Sequence, residues 1–219
     1  MEIQWLGHAC FKITHEGYSV VIDPYNAGYV NGYPELRVKA DKVLVSHEHY
    51  GHNYREGVIL SGRPESDCPF RISTMEVYHD AVFGRLHGTC LVHILEADGL
   101  KAVHTGDLGV HLDESEQAQI FGADALMICA GSYRALPAQE VWRLTDEVFP
   151  KAIIPMHYHD GKRGYKRLET LDDLIKYYDA DEMIHRYDTD RITIDEDTEP
   201  QIAVLKYLGG NNGDFTQER

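Results

Sequence analysis

The chain holds no apolar run approaching the roughly 18 residues that a membrane helix needs. Its start, Met1-Glu2-Ile3-Gln4-Trp5, has neither a basic leader nor an apolar core, so no signal peptide is expected. Cysteine is scarce. Cys10, Cys68, Cys90 and Cys129 are widely spaced and form no CxxC pair, which predicts free thiols, a reducing compartment and a cytoplasmic protein. Positive charge is also short: 21 Lys and Arg stand against 36 Asp and Glu, a formal net charge of −15. That balance excludes a broad basic face for a nucleic-acid backbone. It leaves room for a small, anionic substrate, because a local group of cations or bound metal can oppose the global sign. A Gly-x-Ser-x-Gly elbow and a Walker-type loop are missing too, so serine-hydrolase and nucleotide-hydrolase readings have no support.

What is present fits one α/β domain over residues 1–208, followed by a mobile tail over 209–219 rich in glycine and asparagine. A chain of 219 residues buries about 70% of its unfolded surface without help from metal, so any metal is expected to be catalytic. Short apolar-rich runs at 2–6, 10–14 and 19–22, separated by Gly7 and Glu16-Gly17, predict a β-meander. Further strands are expected at 42–45, 71–73, 90–96, 101–104, 125–129, 151–155, 191–194 and 201–207. Helices are expected at 114–121, 137–149 and 168–178, the second carrying Val141, Leu144 and Val148 at helical spacing. Strand after strand delivers a histidine or an aspartate to a loop.

Thirteen histidines make position decisive. In Ser46-His47-Glu48-His49-Tyr50-Gly51-His52, alternate residues at a strand end share a side, so His47 and His49 can converge on one ion, with His52 arriving from the next turn. The plainer alternative is a solvated loop. Other ligand-type residues follow later strands in Tyr78-His79-Asp80, His104-Thr105-Gly106-Asp107 and Pro155-Met156-His157-Tyr158-His159.

Together with Trp5-Leu6-Gly7-His8-Ala9-Cys10-Phe11 and Ile22-Asp23-Pro24, these pieces resemble the metallo-β-lactamase superfamily. Within it they resemble the small branch similar to L-ascorbate-6-phosphate lactonase and related uncharacterised metal-dependent hydrolases. The resemblance runs in order from about residue 3 to 160 and is specific for fold more than for substrate. It implies a four-layer αβ/βα sandwich holding one or two divalent metal ions, zinc first, with manganese or iron as alternatives. It implies a first metal site of His47, His49 and His79, a bridging Asp107, and a second site served by His52 and His157. Asp107 and His157 would be the catalytic residues around an activated water.

One position departs from the pattern His-x-His-x-Asp-His: Gly51 stands where the aspartate belongs. Three outcomes remain open: a single metal, two metals with water, His8, Tyr50 or His159 filling the gap, or a catalytically silent metal-binding or scaffold protein. The leading expectation is a hydrolase of a small ester, lactone or phosphorylated metabolite. A phosphodiesterase or nuclease is the other enzymatic reading, and a homo-oligomer is compatible with both.

The remaining residues carry paired readings. His8 is a site residue or a hydrogen-bonded structural histidine, and His104 a ligand or a residue behind the ligands. Asp23 and Asp80 either fix a ligand histidine or make a turn. Tyr158, His159, Lys162 and Arg163 form an anion-binding pocket wall or a solvated loop, and Tyr133 is a further pocket candidate. Cys10 and Cys129 are expected to be inert core.

Overall fold

The computed structural model describes residues 1–132, 134–178 and 183–209. The predicted tail beyond Gly209 and the pocket candidate Tyr133 therefore lie outside the described residues. In chain order the strands are β1 (Glu2–Gly7), β2 (Cys10–His15), β3 (Tyr18–Ile22), β4 (Val38–Ala40), β5 (Lys42–Leu44), β6 (Val58–Leu60), β7 (Arg71–Tyr78), β8 (Thr89–Ala97) and β9 (Leu100–His104). They continue with β10 (Ala125–Cys129), β11 (Ala152–Met156), β12 (Ile184–Arg186), β13 (Arg191–Thr193) and β14 (Gln201–Val204). The helices are α1 (Glu114–Ile120), α2 (Ala138–Val148) and α3 (Leu171–Ile175).

Two sheets carry the fold. One has the order β13-β1-β2-β3-β5 and the other β12-β14-β11-β10-β9-β8-β7, with a separate pair β4-β6. The two sheets share a core in which Ile3, Phe11, Ile13, Val20 and Ile22 of the first meet Leu95, Met127, Ile154 and Ala203 of the second, all essentially inaccessible. The interior of the larger sheet is parallel: β9, β10, β11 and β14 run the same way. Strands covered on both faces read as continuous apolar runs, which is why Ala125–Cys129 is buried throughout. Pro155 sits in one of these strands without breaking it. β14 pairs with β11 only as far as Ile153, so the proline's missing N–H faces no ladder partner on that side.

The helices lie on the outer face of the larger sheet. α2 buries Val141, Leu144, Thr145 and Val148, the i, i+3, i+4, i+7 stripe of an amphipathic helix. It begins after Pro137 and ends where Phe149 turns left-handed (φ 48°). α1 and α3 start at capping boxes, Asp113 with Glu116 and Thr170 with Asp173. Ile120 and Leu174 join α2 over the sheet.

The fold is the expected α/β one, with one difference in its outermost layer. Among the described residues no helix covers the outer face of the smaller sheet. Tyr25, Val30, Tyr33 and Leu36 from the loop after β3, with Val38, Ala40 and Val58, seal that face against Leu6, Cys10 and Val21.

Boundaries moved where local signals were thin. β7 extends to Tyr78 rather than stopping at 73, because it pairs along its whole length with β8. α3 is short, because beyond Lys176 the N–H groups of Tyr177 and Tyr178 bond three residues back, to Leu174 and Ile175, in tighter turns. The three-residue strands β4, β6 and β12 show too few alternations to be read from sequence. Among the described residues no helix is long and apolar enough to cross a membrane.

Candidate metal centre

The carboxyl ends of strands from both sheets, two central (β9, β11) and two at sheet edges (β5, β7), lead into one site. There the loops after β5, β7, β9 and β11 deliver His47, His49 and His52, then His79, Asp107 and His157. The turn between β1 and β2 delivers His8 to the same place. Several of these residues have left-handed backbones although they are not glycine: His8 at φ 53°, Asp23 at 51° and His157 at 55°. Such conformations cost energy and persist where the surroundings over-determine them. The carbonyl of His8 is held by the N–H of His157 (3.1 Å) and by Trp5 Nε1 (3.0 Å), which ties two of these turns together.

Asp107 occupies the middle. Its Oδ2 faces His52 Nε2 at 3.4 Å, His79 Nε2 at 3.5 Å and His47 Nε2 at 3.9 Å, while Oδ1 faces His157 Nε2 at 3.7 Å. Burial by itself would raise its carboxyl, but the surrounding imidazoles, His157 and His52 foremost, drive it well below the usual carboxylate range. Gly106 makes this approach possible. Its backbone is left-handed (φ 55°), and a Cβ there would stand 2.7 Å from Ser46 Cβ.

The outer nitrogens of the histidines are assigned by their partners. Asp23 is fully buried and accepts from Ser46 N (2.6 Å), Ser46 Oγ (2.6 Å) and His52 Nδ1 (2.9 Å). Because Ser46 Oγ gives its proton to Asp23, it accepts from His47 Nδ1 at 2.9 Å. His79 Nδ1 donates to the Arg134 carbonyl at 3.2 Å. These three rings are thus oriented from behind with Nε2 facing inward, the arrangement metal-ligating histidines adopt, whereas His157 Nδ1 is buried without a hydrogen-bond partner and His49 meets His79 Nε2 through its Nδ1 at 3.3 Å.

The donor set fits divalent metal. One ligand atom each from His47, His49 and His79 lie within 4.8 Å of one another, as do those of His8, His52 and His157, and those of Asp107, Cys129 and His157. The buried Nε2 of His47 and both ring nitrogens of His8 have no hydrogen-bond partner. Neutral imidazoles suit this role, and burial pushes His47 down to about 3 and His157 to about 4. His52 differs. Burial lowers it, but Asp107 and Asp23 together hold it up to about 10.

Other candidates fall elsewhere. His104 is buried but fully occupied, with Nε2 donating to the Ala9 carbonyl at 2.8 Å and Nδ1 accepting from Gly106 N at 3.2 Å, so it braces the turn before Asp107. Asp80 accepts from the backbone N–H groups of Val82, Gly84, Leu86 and His87, which folds the loop after His79 around one carboxylate. The expected pocket wall is displaced. Tyr158, His159 and Arg163 line a separate cavity of about 530 Å³ beside Trp5, and Lys162 is exposed. Arg163 is committed to Asp160 (Nε to Oδ2, 2.7 Å) and stacks 4.7 Å over the Tyr207 ring.

The cavity over the cluster, about 610 Å³, has His49, His52, His79, Asp107 and His157 at its base, and Arg134, Tyr165, Lys166 and Arg167 along its wall. Sequence reading missed these wall residues. Lys166 and Arg167 lie seven and eight residues beyond the last histidine motif, which ends at His159, and carry no pattern of their own. Cys129 lies in the buried core as expected, and its thiol, pushed up by burial, donates toward Asp107 Oδ1 at 3.5 Å.

Comparison with known proteins agrees with this geometry. The family model described as a beta-lactamase superfamily domain matches residues 2–157. UPF0173 metal-dependent hydrolases of Carboxydothermus hydrogenoformans and Archaeoglobus fulgidus are each 26% identical over 196 residues, covering 73% of this chain and 85% and 84% of theirs. A candidate Zn-dependent hydrolase of the metallo-beta-lactamase superfamily from Thermotoga maritima superposes with a TM-score of 0.70 at 28% identity, covering 93% of this chain and 97% of that one. Igni18, a metallo hydrolase of Ignicoccus hospitalis, shares the fold with a TM-score of 0.61 at 16% identity, covering 80% of this chain and 89% of its own. With the family model matched over residues 2–157 and the sandwich matched over nearly its whole length, the chain belongs to the metallo-β-lactamase superfamily.

Proposed function

We propose that the chain is a metal-dependent hydrolase of a small, anionic ester, lactone or phosphorylated metabolite. The observation that carries this reading is the convergence of inward-facing histidines on one buried aspartate beneath an open cavity. The hydrolase relatives support it. A divalent cation at such a site, zinc first, supplies Lewis acidity and lowers the pKa of water to about 7.

The protein's own groups supply the rest. Asp107, held ionised, accepts a hydrogen bond from the attacking water and orients it. His49, the exposed member of its group, lies on the cavity side, where substrate enters. Lys166 and Arg167 at the rim, with Arg134, offer an anionic group positive charge that the chain as a whole lacks. Burial raises the Tyr165 hydroxyl above its usual range, so it stays protonated and can donate to the leaving oxygen. The free thiols agree with a reducing, cytoplasmic setting.

The test is a panel of lactones, carboxylic esters and phosphoesters offered to untagged enzyme reconstituted with zinc, manganese or iron. Turnover of at least one class that Asp107→Asn and His49→Ala abolish, with both variants folded, is expected. Absence of turnover with every metal would favour the silent metal-binding reading.

A further inference from the structure

Gly51 and His8 explain each other. Glycine is often kept for a left-handed backbone, but Gly51 is absent from the positive-φ residues, so its backbone would accept a side chain. What it lacks is space. A Cβ at position 51 would stand 3.1 Å from His8 Nε2 and 3.4 Å from the Tyr165 hydroxyl. A carboxylate reaching further would enter the volume the His8 imidazole already fills.

His8 is oriented into that volume at a cost. It is completely buried, its backbone is left-handed, and neither ring nitrogen has a hydrogen-bond partner. His93 shares the feature of two unpaired ring nitrogens, and what sets His8 apart is where its ring lies. The His8 ring centroid lies 4.1 Å from that of His157 and 5.3 Å from that of His52, and one nitrogen of each lies within 4.8 Å of the others. Its main chain is pinned by Trp5 Nε1 and the His157 N–H, so the ring is placed by the turn and not by a contact of its own.

We infer that His8 is a metal ligand of the second site, taking the place of the aspartate missing at position 51, and that Gly51 is the residue that makes room for it. This inference rests on reading the cluster as a metal centre. Replacing a carboxylate by imidazole makes the second site one negative charge poorer and richer in nitrogen, which favours zinc or iron over manganese. Its net charge is more positive, which suits an anionic substrate.

The experiment is metal content by plasma mass spectrometry, with the cobalt(II) absorption spectrum as a second reading, on untagged protein reconstituted and then desalted. Wild type, His8→Ala, and His8→Ala with Gly51→Asp are compared, with circular dichroism to confirm folding. Expected are about two equivalents in wild type, about one in His8→Ala, and recovery toward two in the double variant, with a cobalt spectrum altered by the change from nitrogen to oxygen donor. Two equivalents retained in His8→Ala, with an unchanged cobalt spectrum, would overturn the role of His8 while leaving the metal centre intact. One equivalent in wild type would remove the second site and this inference with it. No metal in wild type would sink the metal-centre reading itself.

Discussion

Asp23→Asn exchanges one oxygen for an NH₂ in a site with no room to adapt. Asp23 accepts three hydrogen bonds while fully buried, and all its donors serve the histidine loop. An asparagine can keep the bond from Ser46 N, but its NH₂ then faces Ser46 Oγ–H and His52 Nδ1–H, donor against donor. Relief requires Ser46 to rotate, which leaves His47 Nδ1–H without its acceptor, and His52, protonated on both nitrogens at pH 7, to give up its Nδ1 proton and with it the charge that faces Asp107. Two charge-assisted bonds at about 1.5–3 kcal/mol each are at stake, partly recovered by rearrangement, so a loss of about 3 kcal/mol is expected. For a chain of this size that lowers Tm by roughly 6–12 °C. Thermal unfolding of the metal-free protein at pH 7, followed by circular dichroism, reads this directly. Metal titration should show affinity weakened by about 10- to 100-fold, since the lost partners orient ligands without touching metal. A metal-free Tm within about 1 °C of wild type would refute the reasoning, because the network would then be contributing nothing.

Three further outcomes follow from the same geometry. Metal-free protein should be most stable near pH 6.5: His47 and His157, held at about 3 and 4, refuse protons that the unfolded chain takes up as pH falls, so stability is lost toward pH 4. His52, held near 10, contributes stability that is full below about pH 6.5 and is lost as pH rises through its folded value. Urea unfolding against pH checks both limbs, and saturating metal should flatten the profile. Lys166→Ala with Arg167→Ala should raise KM for an anionic substrate about tenfold with little change in kcat, and salt should mimic it. Leu144→Ala, at a fully buried position under α2, should cost about 2–5 kcal/mol and leave metal stoichiometry unchanged, measured by denaturant unfolding and metal analysis.

Sequence alone went far with elements whose signal is local. The alternating meander, the apolar run 125–129 and the stripe of α2 each carry their period within a few residues, and the structure places all of them close to the expected bounds. The candidate ligands could be singled out because each lies in a loop that follows a strand. The wall of the cavity was not: Tyr165, Lys166 and Arg167 belong to a loop tied to the distant loop after β3, where Gly164 N–H donates to the Asn31 carbonyl at 3.0 Å. For the same reason Lys162 and Arg163, closer in sequence to His157, were the wrong cations to expect there. His104 and Asp80 could be singled out but not assigned, since a ligand and a fully hydrogen-bonded residue are the same letter until their partners are known.

Periodicity and motif spacing are properties of the chain, so the order of strands and loops and the histidine and aspartate inventory were set by the sequence itself, and the resemblance of its motifs pointed to the family. The sequence also showed that position 51 lacks a carboxylate. Only the tertiary structure decided how that gap is closed. His8 and Gly51 are 43 positions apart, and their exchange of volume exists only where the β1–β2 turn and the loop after β5 meet. A side chain's reach spans a few ångströms, so which distant residue fills a given space is fixed by the strand order β1-β2-β3-β5 of the smaller sheet and not by either segment alone.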